Sequence, residues 1–104
     1  PSRIEAPAGS HADIAKAAAF PIPDDRLGEK VCLAILGQVS AEDVLEQLAT
    51  VGLSKFDMPE WFICMDNFPL TPSGKILKRE LIAMFERGEI EPQAVRYQAR
   101  KENA

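Results

Sequence analysis

Six consecutive residues, Val31-Cys32-Leu33-Ala34-Ile35-Leu36, are apolar. A strand alternates its side chains between two faces, so this run is apolar on both. Residues 29–37 are therefore expected to form a strand that is central in its sheet and covered on both sides.

The segment before it carries two conflicting signals. Lys16-Ala17-Ala18-Ala19 favours helix, and Asp13 can cap one. Ile14, Ala18, Phe20 and Ile22, however, share one face at period two, and Pro21 and Pro23 forbid a helical end. The balance predicts a strand over residues 14–22, with Pro21 marking an edge or a terminus. The two strands should pair antiparallel, joined by Pro23-Asp24-Asp25-Arg26-Leu27-Gly28, whose aspartates read as turn formers rather than metal ligands.

Downstream, Ser40 is an N-cap, with Glu42 and Asp43 in the first turn. Val44, Leu45, Leu48 and Val51 make a buried stripe and Gly52 a stop, which predicts a helix near residues 41–52. Trp61-Phe62-Ile63-Cys64-Met65 reads as a third strand, near residues 60–66. It is expected beside the first strand, although its order is open. Residues 1–10 are ambiguous, since Ile4-Glu5-Ala6 can begin a helix that Pro7 and Gly9 weaken. The fold class is α+β: a small three-stranded sheet flanked by helices. It forms one domain over residues 1–95, and residues 96–104, where the apolar period is lost, are expected as a disordered tail.

Composition narrows the function. A chain of 104 residues builds one modest core, and 46% hydrophobic with 27% charged residues describes a soluble globular domain. No apolar run approaches the ~20 residues of a membrane helix, so no membrane span is expected. A net charge of −4 argues against a dedicated nucleic-acid binder. Cys32 and Cys64 are expected as buried free thiols in a reducing cytoplasm. One histidine, His11, without a Cys/His cluster predicts no metal site. The start at Pro1, without a methionine, looks like a cut through a longer protein.

One stretch suggests chemistry: Pro69-Leu70-Thr71-Pro72-Ser73-Gly74-Lys75-Ile76-Leu77-Lys78-Arg79-Glu80-Leu81. Pro69 and Pro72 fix two φ angles, and Thr71, Ser73 and Gly74 are turn formers. Leu77, Leu81, Met84 and Phe85 then fall on one helical face, and Gly88 reads as the stop. Lys75, Lys78 and Arg79 are thus expected at or near a helix N-terminus, where the macrodipole disfavours cations by ~0.3–1 kcal/mol each. A lysine held there by a stiff loop suggests a charge positioned for an anion. Gly74-Lys75 is not a Walker A loop, because Pro69 and Ile76 stand where that motif needs Gly and Ser or Thr. Lys78, Arg79 and Arg87 can form a basic face, although Glu80 and Glu86 are interleaved with them.

The Pro69-x4-Gly74-Lys75 loop, with Ile76 and Lys78-Arg79-Glu80-Leu81, resembles the last core motif of adenylate-forming enzymes: acyl-CoA synthetases, peptide-synthetase adenylation domains and luciferases. The likeness covers nearly the whole chain. Pro1-Ser2-Arg3-Ile4-Glu5 resembles the end of the family's hinge motif, and residues 11–18 its His-Pro-x-Val segment. Pro23-Asp24…Gly28-Glu29 is similar to its Pro-Asp…Gly-Glu turn, residues 56–59 to Tyr-Lys-x-Pro, and Phe68-Pro69 to its Leu-Pro. Asp57 stands where the family usually has Lys, Ala12 replaces a proline and Arg3 a glutamate.

The resemblance implies the C-terminal lid domain of an acyl-CoA synthetase, whose large N-terminal domain, hinge and ATP-binding residues would lie upstream of Pro1. It implies a parent enzyme that converts a carboxylic acid and ATP to an acyl-adenylate and passes the acyl group to coenzyme A. Magnesium would be held outside this segment. Lys75 would be the catalytic lysine, drawing the carboxylate to the α-phosphate. Pro69, Pro72, Ser73 and Gly74 would be the scaffold that aims it. Lys75 would also match the residue acetylated in some acyl-CoA synthetases. Two alternatives remain: the lid of an adenylation domain that loads a carrier protein, and a non-enzymatic module binding through the basic helix face. The acid substrate is not legible.

Overall fold

The computed structural model describes residues 2–24, 28–54 and 58–95. Their elements are α1 (Ser2–Gly9), β1 (Ile14–Asp24), β2 (Gly28–Gly37), α2 (Ala41–Thr50), β3 (Trp61–Met65), α3 (Lys78–Glu86) and β4 (Gln93–Ala94). The strands form one sheet in the order β1-β2-β3-β4. The expected tail from residue 96, and residues 25–27 and 55–57 of the two connections, lie outside the described residues.

The two-faced strand is central, as its composition requires. Leu33 and Ile35 of β2 face a layer built from α1 and α2, with Ile4, Ala8, Val44, Leu45 and Leu48. Cys32 and Ala34 face the other layer, with Phe20, Ile22, Phe68 and Leu81 of α3. All four β2 side chains are fully buried. Burial of each large apolar side chain contributes roughly 1.5–3 kcal/mol. The sheet therefore needs both layers, and α3 with the loop before it belongs to only one of them.

The strand order corrects the expectation. β3 pairs with β2, in parallel, and not with β1. Parallel pairing needs a crossover, which α2 provides. The free edge of β1 is closed to a strand by other means. The Ala19 N–H donates to Glu5 Oε2 at 2.7 Å, and Pro21, two residues on, has no N–H to give. A β3 beside β1 would also have left β2 at an edge, against its own composition. The sheet has four strands rather than three, because Gln93 and Ala94 pair antiparallel with Phe62 and Trp61. Two residues are too few to show a period.

Three smaller differences have local causes. The register of β1 shifts between Ile14 and Lys16, so Ile14 sits in the α1/α2 layer while Ala18, Phe20 and Ile22 sit in the α3 layer. A bulge moves every residue beyond it to the opposite face. Residues 2–9 are helical despite Pro7, whose cost in a helix interior is ~3 kcal/mol. Burial of Ile4 and Ala8 and the Glu5 contact offset it. Val51, expected in the buried stripe of α2, is its exposed C-cap residue.

The other helix signals hold. Ser40 Oγ accepts from the Asp43 N–H at 3.2 Å. Gly52, at φ +97°, ends α2 with Gly52 N–H donating to Ala49 O and Leu53 N–H to Leu48 O, the paired bonds of a Schellman stop. Both cysteines are free thiols, but Cys64 is only half-buried and donates to Val39 O. Burial pushes the Cys32 thiol up to about 12. Its neutral form thus adds stability that is complete below the ordinary thiol pKa of about 8.5 and is lost as pH rises toward 12.

Gly37 ends β2 at φ +150°, and a Cβ there would lie 2.2 Å from the Asp13 carbonyl oxygen. Gly37→Ala should therefore destabilise the domain by about 1–3 kcal/mol in chemical denaturation. Gly9→Ala, with open space around it, should be neutral or slightly stabilising. Equal midpoints for the two variants would contradict the close approach at Gly37.

Candidate functional site

Pro69 to Leu77 form a small hairpin. Leu70 and Ile76 bridge its arms, and Leu77 N–H donates to Pro69 O at 2.8 Å to close its base. At the tip, Gly74 N–H donates to Thr71 O at 2.9 Å, and Thr71 N–H to Lys75 O at 2.8 Å. Pro72 supplies the first central φ of the turn. Ser73 has no positive φ, whereas Gly74 has φ +90°, which makes this a type I turn followed by a left-handed glycine. Thr71 Oγ1 accepts from the Lys75 N–H and shares a hydrogen bond with Ser73 Oγ, both at 3.0 Å. The arms are anchored in the α3 layer by buried Phe68 and half-buried Ile76.

The structure therefore brings Pro69, Pro72, Ser73, Gly74 and Lys75 together in one stiff loop. Thr71 belongs with them. Its position ahead of proline was the available signal, since a threonine hydroxyl at the first turn position bonds to backbone two to four residues on. Lys75 itself is exposed, and its ammonium has no carboxylate partner among the described residues.

The expected helix mouth is displaced. α3 begins at Lys78 with Leu77 as N-cap, so Lys75 stands on the returning arm of the hairpin and only Lys78 and Arg79 lie in the first helical turn. Leu81 is buried, Met84 and Phe85 pack beside it, and Gly88 at φ +76° ends the helix.

The basic face is largely neutralised. Lys78 Nζ lies 2.6 Å from Glu5 Oε2. Arg87 meets Glu89 at 2.5 Å and Glu80 at 2.9 Å. The hydrogen bonds that Arg87 donates to Glu89 and then Glu80 hold the guanidinium above its ordinary range, and the same donation holds the Glu89 carboxyl below its own. Among the described residues neither Lys75 nor the exposed Arg79 has an ion pair.

A shallow groove of about 430 Å³ lies elsewhere, lined by Val39, Ser40, Phe62, Cys64, Glu91 and Gln93. Phe62 and Cys64 belong to the α1/α2 side, so this groove does not include the lysine loop. Among the described residues no group of three or more His, Cys, Asp or Glu is arranged to hold a metal ion. No helix of the described residues is long and apolar enough to cross a membrane.

A mixed four-stranded sheet with a lysine-bearing loop on one layer defines a class. Residues 3–75 match the family of the AMP-binding enzyme C-terminal domain, and the chain belongs to that family. It is 34% identical over 82 residues to the Humulus lupulus protein named Probable CoA ligase CCL9, covering 76% of this chain and 16% of that one. It is 34% identical over 76 residues to the salicyl-AMP ligase / salicyl-S-ArCP synthetase of Mycobacterium tuberculosis, covering 70% and 14%. The fold is shared with the Mycobacterium tuberculosis fatty acyl CoA synthetase at a TM-score of 0.77 and 24% identity, over 85% of this chain and 18% of that one. The chain thus spans less than a fifth of the length of these relatives.

Open space surrounds Gly74, so replacing it costs only backbone strain. Gly74→Ala should destabilise the domain by ~1–2 kcal/mol, and Gly74→Asn by less, because asparagine tolerates the left-handed region. Urea midpoints of the two variants measure this, and equal midpoints with wild type would contradict the left-handed turn.

Proposed function

We propose that residues 1–95 are the lid of an AMP-forming carboxylate–CoA ligase, and that Lys75 is its catalytic residue in adenylate formation. The observation that carries this is an exposed ammonium, without a carboxylate partner among the described residues, on a hydrogen-bonded hairpin. Such a charge can pull a carboxylate toward the α-phosphate of ATP and offset the negative charge that builds as the new bond forms. The stiff hairpin limits the ordering cost of bringing it there. A guanidinium reaches differently, so arginine should not replace it.

The substrates we propose for the full-length enzyme are a carboxylic acid, ATP and coenzyme A. Mg2+ would serve the phosphates, and we place its ligands, with the acid pocket, in an N-terminal domain on the same chain. Acetylation of Lys75 would remove the required charge and would switch off the adenylation step. A cytoplasmic site of action is part of the proposal, and the two free thiols support it. The second reading, transfer to a carrier protein, is favoured by the name of the salicyl-S-ArCP synthetase among the relatives.

In the full-length enzyme, Lys75→Ala should slow adenylate formation ~10²–10³-fold. Thioester formation from pre-made acyl-adenylate should hardly change, because the lid turns another face to the site in that step. Equal losses in both steps, tracking thermal stability, would remove Lys75 from this role. The 104-residue chain by itself should bind ATP only weakly, since one lysine cannot replace a phosphate loop. Micromolar affinity by calorimetry would count against the lid reading.

A further inference from the structure

The Glu5 carboxylate joins three elements. It lies on α1, and its Oε2 accepts both the Ala19 N–H of β1 at 2.7 Å and the Lys78 ammonium of α3 at 2.6 Å. Its side chain is 22% exposed and that of Lys78 38%, so the pair is only partly screened by water. Ala19 is fixed in turn, being 1% exposed between Ala18 and Phe20 in a strand paired along its length with β2.

Lys78 is the first residue of α3 and stands three residues after Lys75. The residue between them that matters is Leu77. Its N–H closes the hairpin base on Pro69 O, and as N-cap it has no side-chain hydrogen bond to hold the helix start. Backbone bonds from Glu80 and Leu81 to Leu77 O and the burial of Leu81 hold that turn, and a side-chain tie from another element adds to them. A cation there is opposed by the helix dipole, so without a carboxylate the Lys78 side chain gains by turning away to water. Glu5 reverses that preference and ties the first turn of α3 to the edge of β1.

We propose that Glu5 is a positioning residue for Lys75, acting through Lys78. The proposal rests on the lid reading above and deepens it. Glu5 holds the base of the hairpin against the sheet, so that the ammonium at its tip arrives in one place. Loss of the tie leaves the turn at residues 71–75 and the Phe68 and Ile76 anchors intact but lets the first turn of α3 shift slightly, and with it the aim of the hairpin tip. Adenylation, which needs Lys75, loses rate. Thioester formation, which does not, keeps it.

The test uses the full-length ligase, with both half-reactions measured on each variant and Lys75→Ala in the same series. Glu5→Gln keeps an acceptor for the Ala19 N–H but removes the charge. It should lower adenylate formation by roughly tenfold, the scale of a sub-ångström misplacement, and change thioester formation less than about twofold. Lys78→Met should do the same, and Lys78→Arg should retain the rate. The double variant Glu5→Gln/Lys78→Met should be no slower than either single, because both remove one interaction. Lys78 is at the surface, so its variants report even if Glu5→Gln fails to fold. A full loss with Lys75→Ala but none with Glu5→Gln or Lys78→Met overturns this proposal and leaves the lid reading standing. Additive losses, or equal losses in both half-reactions, make Glu5 merely structural and also overturn it. No loss with Lys75→Ala overturns both readings together.

Discussion

The structure depends on burying both faces of β2. Cys32 to Ile35 are inaccessible, and each face demands its own layer. The chain meets that demand asymmetrically. α1 and α2 cover one face through a large cluster that includes Met58 and Phe62, and α3 with Phe68 covers the other. The lysine hairpin leads into α3, so it is fixed to the core by the same residues that close the second layer. Phe68 enters the core just before the hairpin and Ile76 packs against it from the returning arm, which leaves the tip to project.

Ion pairs then set Lys75 apart from Lys78 and Arg87. Of Lys78, Arg79 and Arg87, which the sequence offers as a basic face, Lys78 and Arg87 are drawn into ion pairs with Glu5, Glu80 and Glu89. The Arg87 pairs are exposed, and pairs of that kind contribute little to stability. Their consequence here is different: the Glu5 pair engages Lys78, three residues after Lys75, while Lys75 has no carboxylate partner among the described residues.

Much of this was legible in the residues. The apolar run in β2, the Ser40 cap, the Gly52 and Gly88 stops and the proline-framed loop are local signals with local physical causes. What was not legible is long-range. Nothing in residues 60–66 says which neighbour the strand chooses, because the answer lies with Pro21 and Glu5 at the edge of β1. A bulge at Ile14 reverses a face assignment without changing any residue's polarity. Pro7 argues against α1 by propensity alone, and only the burial of Ile4 and Ala8 shows why the helix forms. The Glu5–Lys78 pair spans most of the chain, and no spacing rule connects its two ends. Lys75 was identified by its loop chemistry, whereas its place ahead of α3 follows from hydrogen bonds that its neighbours make.

The central claim is that the hairpin is preformed, so that Lys75 is presented by structure rather than found by a mobile loop. Amide hydrogen exchange tests this most directly. The N–H groups of Thr71, Gly74, Lys75 and Leu77 all donate within the hairpin. They should exchange at least about tenfold more slowly than in an unstructured peptide, an opening free energy above ~1.4 kcal/mol. The Ser73 N–H, for which no such bond is described, serves as the internal reference. Exchange of all four donors at unstructured-peptide rates, in a domain whose β2 amides remain protected, would show a loop that is not held and would contradict the account.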